Sequence, residues 1–343
     1  MGTLTRLGLG AAALTALLTG TGCPDNGTAS TQDLAMATQD LAGGGELGFQ
    51  LPDIGPLADL TGSPVIRVTG GFAQPFSAFF DATTNAWYVS NLAGDLANFQ
   101  NLKDGRGWIT KISADFKTVD HNFYTAGLNA PAGLRIVNGK LFVPDVDQLV
   151  VIDLATRTAV RSNTVAPAIA FVPYVFMTDV VVDAGGVAYV PETVGSRILK
   201  FTTPTVDKSN SSAYATSGAT FSFPTTLYID GTKLVLGTTG NPQMPGSTGS
   251  LFTMTLANGS GVTKLGTFAA SFQGIEKDGT DYLVGTQRAH TVNKIAQADG
   301  SATLLLDCAS EGVASVIDIG WDATTRILAV PDAGTNSVYF YKR

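Results

Sequence analysis

The sequence is poor in the residue types on which many enzyme active sites depend. Among its 343 residues there are two histidines, two cysteines and four glutamates, and charged residues make up 14% of the chain. It contains no CxxC pair, no Walker loop and no HExxH motif. These absences exclude a P-loop and the common zinc motifs. A Ser-His-Asp arrangement would have to use His121 or His290, and we expect both to be solvated surface residues.

The sequence also has no excess of positive charge of the kind that binding to a polyanionic partner requires. The net charge is −7, but the segment 24–60 holds six acids and no base, and residues 61–343 carry 20 bases against 22 acids. The larger part of the chain is therefore close to neutral. This balance predicts neither nucleic-acid binding nor electrostatic attachment to an anionic bilayer. We expect a monomer.

What the sequence does contain is a repeat of strand hairpins, and the first and last units share the tetrapeptide DATT. The six units read FSAFFDATTNAWYVSN (76–91), GLRIVNGKLFVPD (133–145), DVVVDAGGVAYVPE (179–192), TLYIDGTKLVLGT (226–238), GIEKDGTDYLVGT (274–286) and IDIGWDATTRILAVPD (317–332). Their turn positions lie 56, 46, 47, 48 and 44 residues apart. Asn-Gly, Asp-Gly and Gly-Gly pairs favour tight turns, and a strand repeat with a period in the forties is typical of a β-propeller.

The two ends of the repeat predict how the ring closes. Each hairpin is followed by a third strand, and the chain ends after the third strand of the sixth unit, SVYFYKR (337–343). The missing outer strand is at the front, where VIRVTGGFAQPFSA (65–78) matches NFYTAGLNAPAGL (122–134). We therefore predict an all-β, six-bladed propeller over residues 62–343, closed by an N-terminal outer strand that completes the last blade. A two-sheet sandwich, the alternative, would not need a displaced strand.

The N-terminus predicts export. Residues 1–22 have Arg6, an apolar run from Leu7 to Leu18 and then small residues, which is the pattern of a secretory signal and is too short to span a bilayer. The segment resembles a bacterial lipoprotein signal, with Thr21 and Gly22 before Cys23, although Gly20 stands where a bulky aliphatic residue is usual. The resemblance implies a lipidated Cys23 and a membrane-anchored protein of the cell envelope. Ordinary cleavage and secretion is the alternative.

Residues 23–61 would then connect the lipid to the ring. This segment is rich in Asp, Gly, Thr and Ala and contains TQDLA twice. Such a composition buries little apolar surface, so we expect a flexible tether. The other cysteine, Cys308, is expected to be a buried apolar residue without a chemical role.

Two rings of residues converge on one end of the predicted channel, which we call the mouth. The first ring lies four residues before each turn position and contains Ser77, Gly133, Asp179, Thr226, Gly274 and Asp318. The second ring closes each second strand and contains Asn91, Asp145, Glu192, Thr238, Thr286 and Asp332. The binding candidates are Asn91, Asp145, Asp179, Glu192, Asp318 and Asp332. Carboxylates around a channel suit Ca²⁺ or another divalent metal. Alternatively, each caps a turn or binds backbone amides.

The hairpin sequences resemble those of six-bladed propellers in the gluconolactonase and senescence-marker-protein group and those of NHL-type repeats. The resemblance covers residues 62–343 and is one of repeat pattern. In the hydrolytic members it implies a divalent metal in the channel, held by a Glu from the first blade and by Asn and Asp from the starts of inner strands. Here those positions hold Phe76, Thr178 and Ile317. Asp179 and Asp318 follow one residue later and are the candidate metal ligands.

Two functional classes remain open from the sequence. The first is a non-catalytic module that binds a protein, glycan or small-molecule ligand through its mouth and loops. Its support is the length of the mouth-side connections 92–107, 166–176 and 239–249 and their apolar residues, which form either a rim or a plug: Phe99, Phe171, Tyr174, Phe176 and Met244. The alternative is a metal-dependent hydrolase of lactones or esters, with Asp179 and Asp318 as ligands and a bound water as nucleophile.

Overall fold

The strands form six antiparallel sheets of four strands each. The computed structural model describes residues 66–94, 102–169, 172, 174–216, 220–241, 244 and 246–343. Blade one contains β2 (Pro75–Asp81), β3 (Ala86–Asn91), β4 (Gly107–Ser113) and β5 (Val119–Leu128). Blade two contains β6 (Arg135–Val137), β7 (Lys140–Asp145), β8 (Gln148–Asp153) and β9 (Ala159–Arg161). Blade three contains β10 (Val181–Val182), β11 (Ala188–Glu192), β12 (Arg197–Phe201) and β13 (Ser211–Thr216). In each blade the strands are hydrogen-bonded in chain order.

Blades four to six repeat this order, with one exception at the end. Blade four contains β14 (Pro224–Asp230), β15 (Lys233–Thr238), β16 (Leu251–Thr255) and β17 (Thr263–Lys264). Blade five contains β18 (Phe272–Asp278), β19 (Asp281–Thr286), β20 (Thr291–Ala296) and β21 (Ala302–Asp307). Blade six contains β22 (Gly320–Asp322), β23 (Ile327–Asp332) and β24 (Ser337–Lys342). The fourth strand of blade six is β1 (Ile66–Thr69), which pairs with β24. The predicted six-bladed propeller and its closure by an N-terminal outer strand are confirmed.

Each blade packs against the next through an apolar cluster. The cluster between blades six and one illustrates this, since Trp87 of β3 contacts Phe340 of β24 with ring centroids 5.3 Å apart. Five further clusters occupy the equivalent positions between the other neighbouring blades. A four-stranded sheet has two apolar faces and buries both only when it has a neighbour on each side. The hydrophobic core is therefore a ring of six interfaces.

The turns follow the chemistry that the sequence predicts. In the first DATT turn, Asp81 accepts hydrogen bonds from the backbone N–H of Thr83 and Thr84, and Asn85 adopts a φ of 49°. In the second, Asp322 accepts hydrogen bonds from the N–H of Thr324 and the hydroxyl of Thr325. Aspartate at the start of a turn supplies these acceptors locally. We call the end of the ring that carries these hairpin turns the turn face, opposite the mouth.

Candidate functional site

Four of the six predicted mouth residues hold loops in place beside the ring. Asp145 accepts hydrogen bonds from the backbone N–H of Asn129 at 2.9 Å and of Ala130 at 2.8 Å, in the loop that leads into its own blade. Burial raises the pKa of Asp145 to about 6 against these hydrogen bonds. Glu192 accepts from the N–H of Gly195 at 2.9 Å and from Arg197 Nε at 3.0 Å, and burial raises its pKa.

Asp332 and Asn91 are bonded in the same way. Asp332 accepts from the N–H of Ala314 at 2.9 Å and of Gly334 at 3.0 Å. The side-chain oxygen of Asn91 accepts from the N–H of Ala73 at 3.2 Å. All four residues are buried, and their hydrogen bonds connect the end of the second strand to nearby loops. This is the turn-capping arrangement that we considered from the sequence, and a ligand role for these four residues stays a prediction.

The inner ring has a regularity that the sequence analysis did not use. Read around the channel, it runs Gly133, Asp179, Thr226 in blades two to four and Gly274, Asp318, Ser77 in blades five, six and one. Glycine, aspartate and a hydroxyl residue thus occur twice in the same order. Because the two sets are three blades apart, Asp179 and Asp318 project from opposite blades of a six-membered ring. Both carboxyl groups are buried.

Asp179 is satisfied by hydrogen bonds from within the ring. Its Oδ1 accepts from the N–H of Val180 at 2.7 Å, and its Oδ2 accepts from the N–H of Leu227 at 2.8 Å and from Thr226 Oγ1 at 3.0 Å. Asp318 Oδ1 accepts from the N–H of Ile319 at 2.8 Å, and its carboxyl group is also hydrogen-bonded to Ser77. The two acids therefore join the inner strands of neighbouring blades.

The two glycines of the ring make room for these carboxyl groups. A Cβ atom on Gly133 would lie 2.6 Å from both the Cα and the Oδ1 of Asp179. A Cβ atom on Gly274 would lie 2.5 Å from Asp318 Oδ1 and 2.6 Å from the N atom of Ile319. Both distances are shorter than van der Waals contact. Each aspartate thus occupies the space that a side chain of the preceding blade would fill.

Two charged residues in the next layer of the channel were missed by the sequence analysis. Arg135 lies two residues after Gly133, and Glu276 lies two residues after Gly274. Arg135 Nη1 is 3.1 Å from Glu276 Oε1, so the pair connects blades two and five across the channel. The guanidinium carbon of Arg135 also lies 4.9 Å from the ring centroid of Phe79 in blade one. The sequence signal that could have identified this pair is the presence of opposite charges at equivalent positions of two inner strands.

These four ionisable groups form one electrostatic unit. Burial raises the pKa of Asp318, and the charge of Asp179 raises it further, well above its usual value. Burial also raises the pKa of Asp179 and Glu276, whereas Arg135 opposes this rise in both. Burial lowers the pKa of Arg135, but the charges of Glu276, Asp179 and Asp318 outweigh it, and the net effect is a raised pKa. The guanidinium stays charged among three acids.

The mouth end of the channel is covered by an apolar cluster. Phe76, Phe176 and Ile317 of blades one, three and six are buried there. They pack together with residues of blades one and two: Leu92, Leu102, Ala130, Ala132 and Val146. The rings of Phe76 and Phe176 meet edge to face, with centroids 6.4 Å apart. Tyr174 packs against the same cluster, so Tyr174 and Phe176 belong to the plug. Met244 instead is 59% exposed, and Phe99 and Phe171 lie outside the described residues.

The positions that hold metal in the hydrolytic propellers have other roles here. Phe76 and Ile317 belong to the apolar cluster, and Thr178 donates a hydrogen bond to the carbonyl of Thr225 at 2.8 Å. Within the described ranges, no group of three or more His, Cys, Asp and Glu residues is arranged to hold a metal ion. The cationic side chain that interacts with Asp179 and Asp318 is Arg135. A metal held by Asp179 and Asp318 stays a prediction, which metal analysis of the purified protein tests.

The histidines and the second cysteine lie away from the channel. His121 is in the outer strand β5, as expected, but it is half-buried and not fully solvated. Its ring meets Phe72 edge to face at 5.3 Å, and burial lowers its pKa. His290 is in the turn between β19 and β20 with a φ of 49°. Cys308 is a buried free thiol, and burial raises its pKa to about 12. A thiol of this kind is a poor nucleophile.

Comparison with known proteins gives the architecture and little else. No family model matches the chain, and no curated protein matches it in sequence. Among solved structures, a chain from the crystal structure of a nidogen/laminin complex is similar, with a TM-score of 0.52 and 12% identity over 69% of this chain and 81% of that chain. Altogether 1046 chains of solved structures match. So widespread a fold supports many functions and does not select one.

No helix in the described part of the chain has the length and apolarity needed to cross a membrane. The signal segment 1–22, Cys23 and the tether 23–61 lie outside the described residues.

Proposed function

We propose that the protein is an exported, lipid-anchored β-propeller that binds a protein partner through the loops of its mouth face. The observation that supports this most directly is how the mouth is built. Its channel is filled by Phe76, Phe176 and Ile317, while the long loops above it present apolar side chains to solvent, with Ile169 43% and Met244 59% exposed. Exposed apolar residues on a rigid scaffold are typical of interaction surfaces.

The same construction disfavours the hydrolase alternative. A catalytic metal needs carboxylate oxygens that are free to bind it and an open coordination position for water. Both oxygens of Asp179 already accept hydrogen bonds, and the apolar cluster lies between the acids and the mouth loops. A bound divalent cation in the purified protein, or a melting temperature that rises with Ca²⁺, would support the hydrolase instead.

The direction of β1 relates the proposed anchor to the proposed binding face. β1 begins at Ile66, opposite Phe340, and ends at Thr69, opposite Ser337. Ser337 pairs with Asp332, the residue that closes the second strand at the mouth. The chain therefore enters the ring from the turn face and runs towards the mouth. A lipid at Cys23 would therefore be connected, through the tether, to the turn-face end of β1.

The similar solved structure agrees with a protein partner. That structure is of a complex of nidogen with laminin, so a chain of this fold is found there in a protein complex. Nothing about the identity of a partner follows for this protein, because the likeness is one of fold alone.

A photo-crosslinking side chain tests the binding face. We expect a probe at Met244 to form a specific covalent adduct in the native cell envelope, whereas a probe at Leu304 forms none. Leu304 is a matched control, because it is 57% exposed and lies on β21, the outermost strand of blade five. The readout is a gel shift followed by mass spectrometry of the adduct. Equal labelling from both positions, or none from Met244, would contradict the proposal.

The lipid anchor has a separate test. In a bacterial host we expect Cys23→Ser to move the protein from the membrane fraction to the soluble periplasmic fraction, since acyl chains supply most of the membrane affinity of a lipoprotein. Thr21→Ser, which keeps a small residue before the cysteine, is the control and should leave the protein in membranes. If partitioning of Cys23→Ser did not change, Cys23 would carry no lipid.

A further inference from the structure

We propose that the channel contains a binding site for a guanidinium-type cation, and that Arg135 of this chain occupies it. The site is made by acids and an aromatic ring from four other blades. Glu276 comes from blade five, Asp179 from blade three, Asp318 from blade six and Phe79 from blade one. Arg135 from blade two supplies the cation.

The contacts of Arg135 are those of a bound ligand. One nitrogen of its guanidinium pairs with Glu276 Oε1 at 3.1 Å, and the group lies over the face of Phe79 at 4.9 Å. A guanidinium is a planar, delocalised cation that pairs with carboxylates and stacks on aromatic faces. The Nε atom is buried and has no hydrogen-bond partner. The guanidinium is therefore held by the pairing of Nη1 with Glu276 and by the contact with the ring of Phe79.

Two further acids, Asp179 and Asp318, lie in the adjacent ring of the channel, where their carboxyl groups pack against Gly133 and Gly274. Gly133 and Gly274 lack the side chains that would displace the carboxyl groups of Asp179 and Asp318. The charges of both carboxyl groups raise the pKa of Arg135, in addition to the larger contribution of Glu276. Without the Arg135 side chain, this group of residues would keep three acids and no base, so it would offer partners to a cation and none to an anion.

Solvent can reach this layer. The side chain of Arg135 is 15% exposed and that of Glu276 is 12% exposed, although the mouth end is filled by the apolar cluster. If Arg135 is shortened, the space it leaves keeps its acids and its aromatic wall. A small guanidinium compound should then bind in place of the missing side chain.

The test is chemical rescue of Arg135→Ala. We expect this variant to melt on the order of 10 °C below the unchanged protein, because removing one partner of a buried ion pair leaves the other acids uncompensated. Methylguanidinium chloride at tens of millimolar should restore at least half of that loss, whereas NaCl and methylammonium chloride at equal ionic strength restore less. The unchanged protein should show no such increase.

The matched control is Arg157→Ala. Arg157 also lies over an aromatic ring, Phe123 at 4.5 Å, and near an acid, Asp120 at 3.7 Å, but its side chain is 54% exposed. We expect a small loss of melting temperature and no rescue, because water already solvates this pair. Rescue of both variants to the same extent would show a general salt effect and would overturn the proposal.

A second variant covers the case in which Arg135→Ala does not fold. Arg135→Ala combined with Glu276→Gln removes the unpaired carboxylate, so this double variant should fold more readily and respond less to methylguanidinium. If Arg135→Ala folds and methylguanidinium raises its melting temperature no more than NaCl does, the channel has no guanidinium site. If only the double variant folds, methylguanidinium should still raise its melting temperature more than NaCl and methylammonium do, because Asp179, Asp318 and Phe79 remain. An equal effect of the three salts on that variant would overturn the proposal.

Discussion

Removing the N-terminal strand should destabilise the protein and cause it to aggregate. A variant that begins at Gly70 lacks β1, so β24 loses the four residue pairs from Ile66↔Phe340 to Thr69↔Ser337. It also loses Val68 from the apolar cluster between blades six and one, and the contact of Arg67 with the ring of Tyr339 at 4.9 Å. The backbone hydrogen bonds and the buried valine together contribute about 5 kcal/mol.

The exposed edge is the second reason for this expectation. Without β1, the sequence SVYFYK of β24 becomes an edge strand with unpaired backbone groups and aromatic side chains. Such an edge pairs readily with other chains. The matched control begins at Thr61, which removes the predicted tether and keeps β1. Size-exclusion chromatography and thermal melts compare the two variants. Equal stability and a monomeric state of both would show that β1 does not close the ring.

Gly274→Ala should strongly destabilise the protein. The new Cβ would lie 2.5 Å from Asp318 Oδ1 and 2.6 Å from the backbone N of Ile319, and neither atom moves without disturbing the inner strand of blade six. We expect a loss of about 2 to 3 kcal/mol in the free energy of unfolding, as for other overpacked positions. Urea unfolding followed by tryptophan fluorescence measures it.

Gly185→Ala is the control for this substitution. Gly185 lies in a hairpin turn, where a Cβ would come no closer than 3.2 Å to Asp183 Oδ1 and meets no backbone atom of another blade. We expect a change of less than about 1 kcal/mol at this surface position. Should the two alanine variants prove equally stable, Gly274 would not be needed to accommodate Asp318.

The fold was predictable because its signals are local. The hairpin phrases and their turns specify the first two strands of each blade, and the count of third strands specified which strand was missing and where to look for it. The detailed limits of strands were less accessible. DVVVD (179–183) reads as a five-residue strand, but β10 contains only Val181–Val182. The N–H of Val180 donates to the carboxyl group of Asp179, which also accepts a hydrogen bond from the N–H of Leu227 in the next blade.

Of the candidate site, only the ring of residues that contains Asp179 and Asp318 was predictable from the sequence. The spacing of the repeats places Asp179 and Asp318 in one ring, and the structure finds both there. Arg135 and Glu276 were not found because they are 141 residues apart and meet only when the ring is closed. Phe176 was equally undetermined, since a loop residue next to a channel can form a rim or a plug. Its position depends on Phe76 and Ile317 from other blades.

The position of β1 has a consequence for how the protein is made. Arg67 and its partner Ser337 are 270 residues apart in the chain, so the strand that is synthesised first pairs with the strand that is synthesised last. Blades one to five can form as the chain emerges, because each contains only neighbouring segments. The final contact has to bring together two ends of almost the whole ring, and non-local contacts of this kind are formed slowly. We therefore expect an open, five-bladed intermediate during synthesis and export, in which the edges of blades one and five still lack a neighbour.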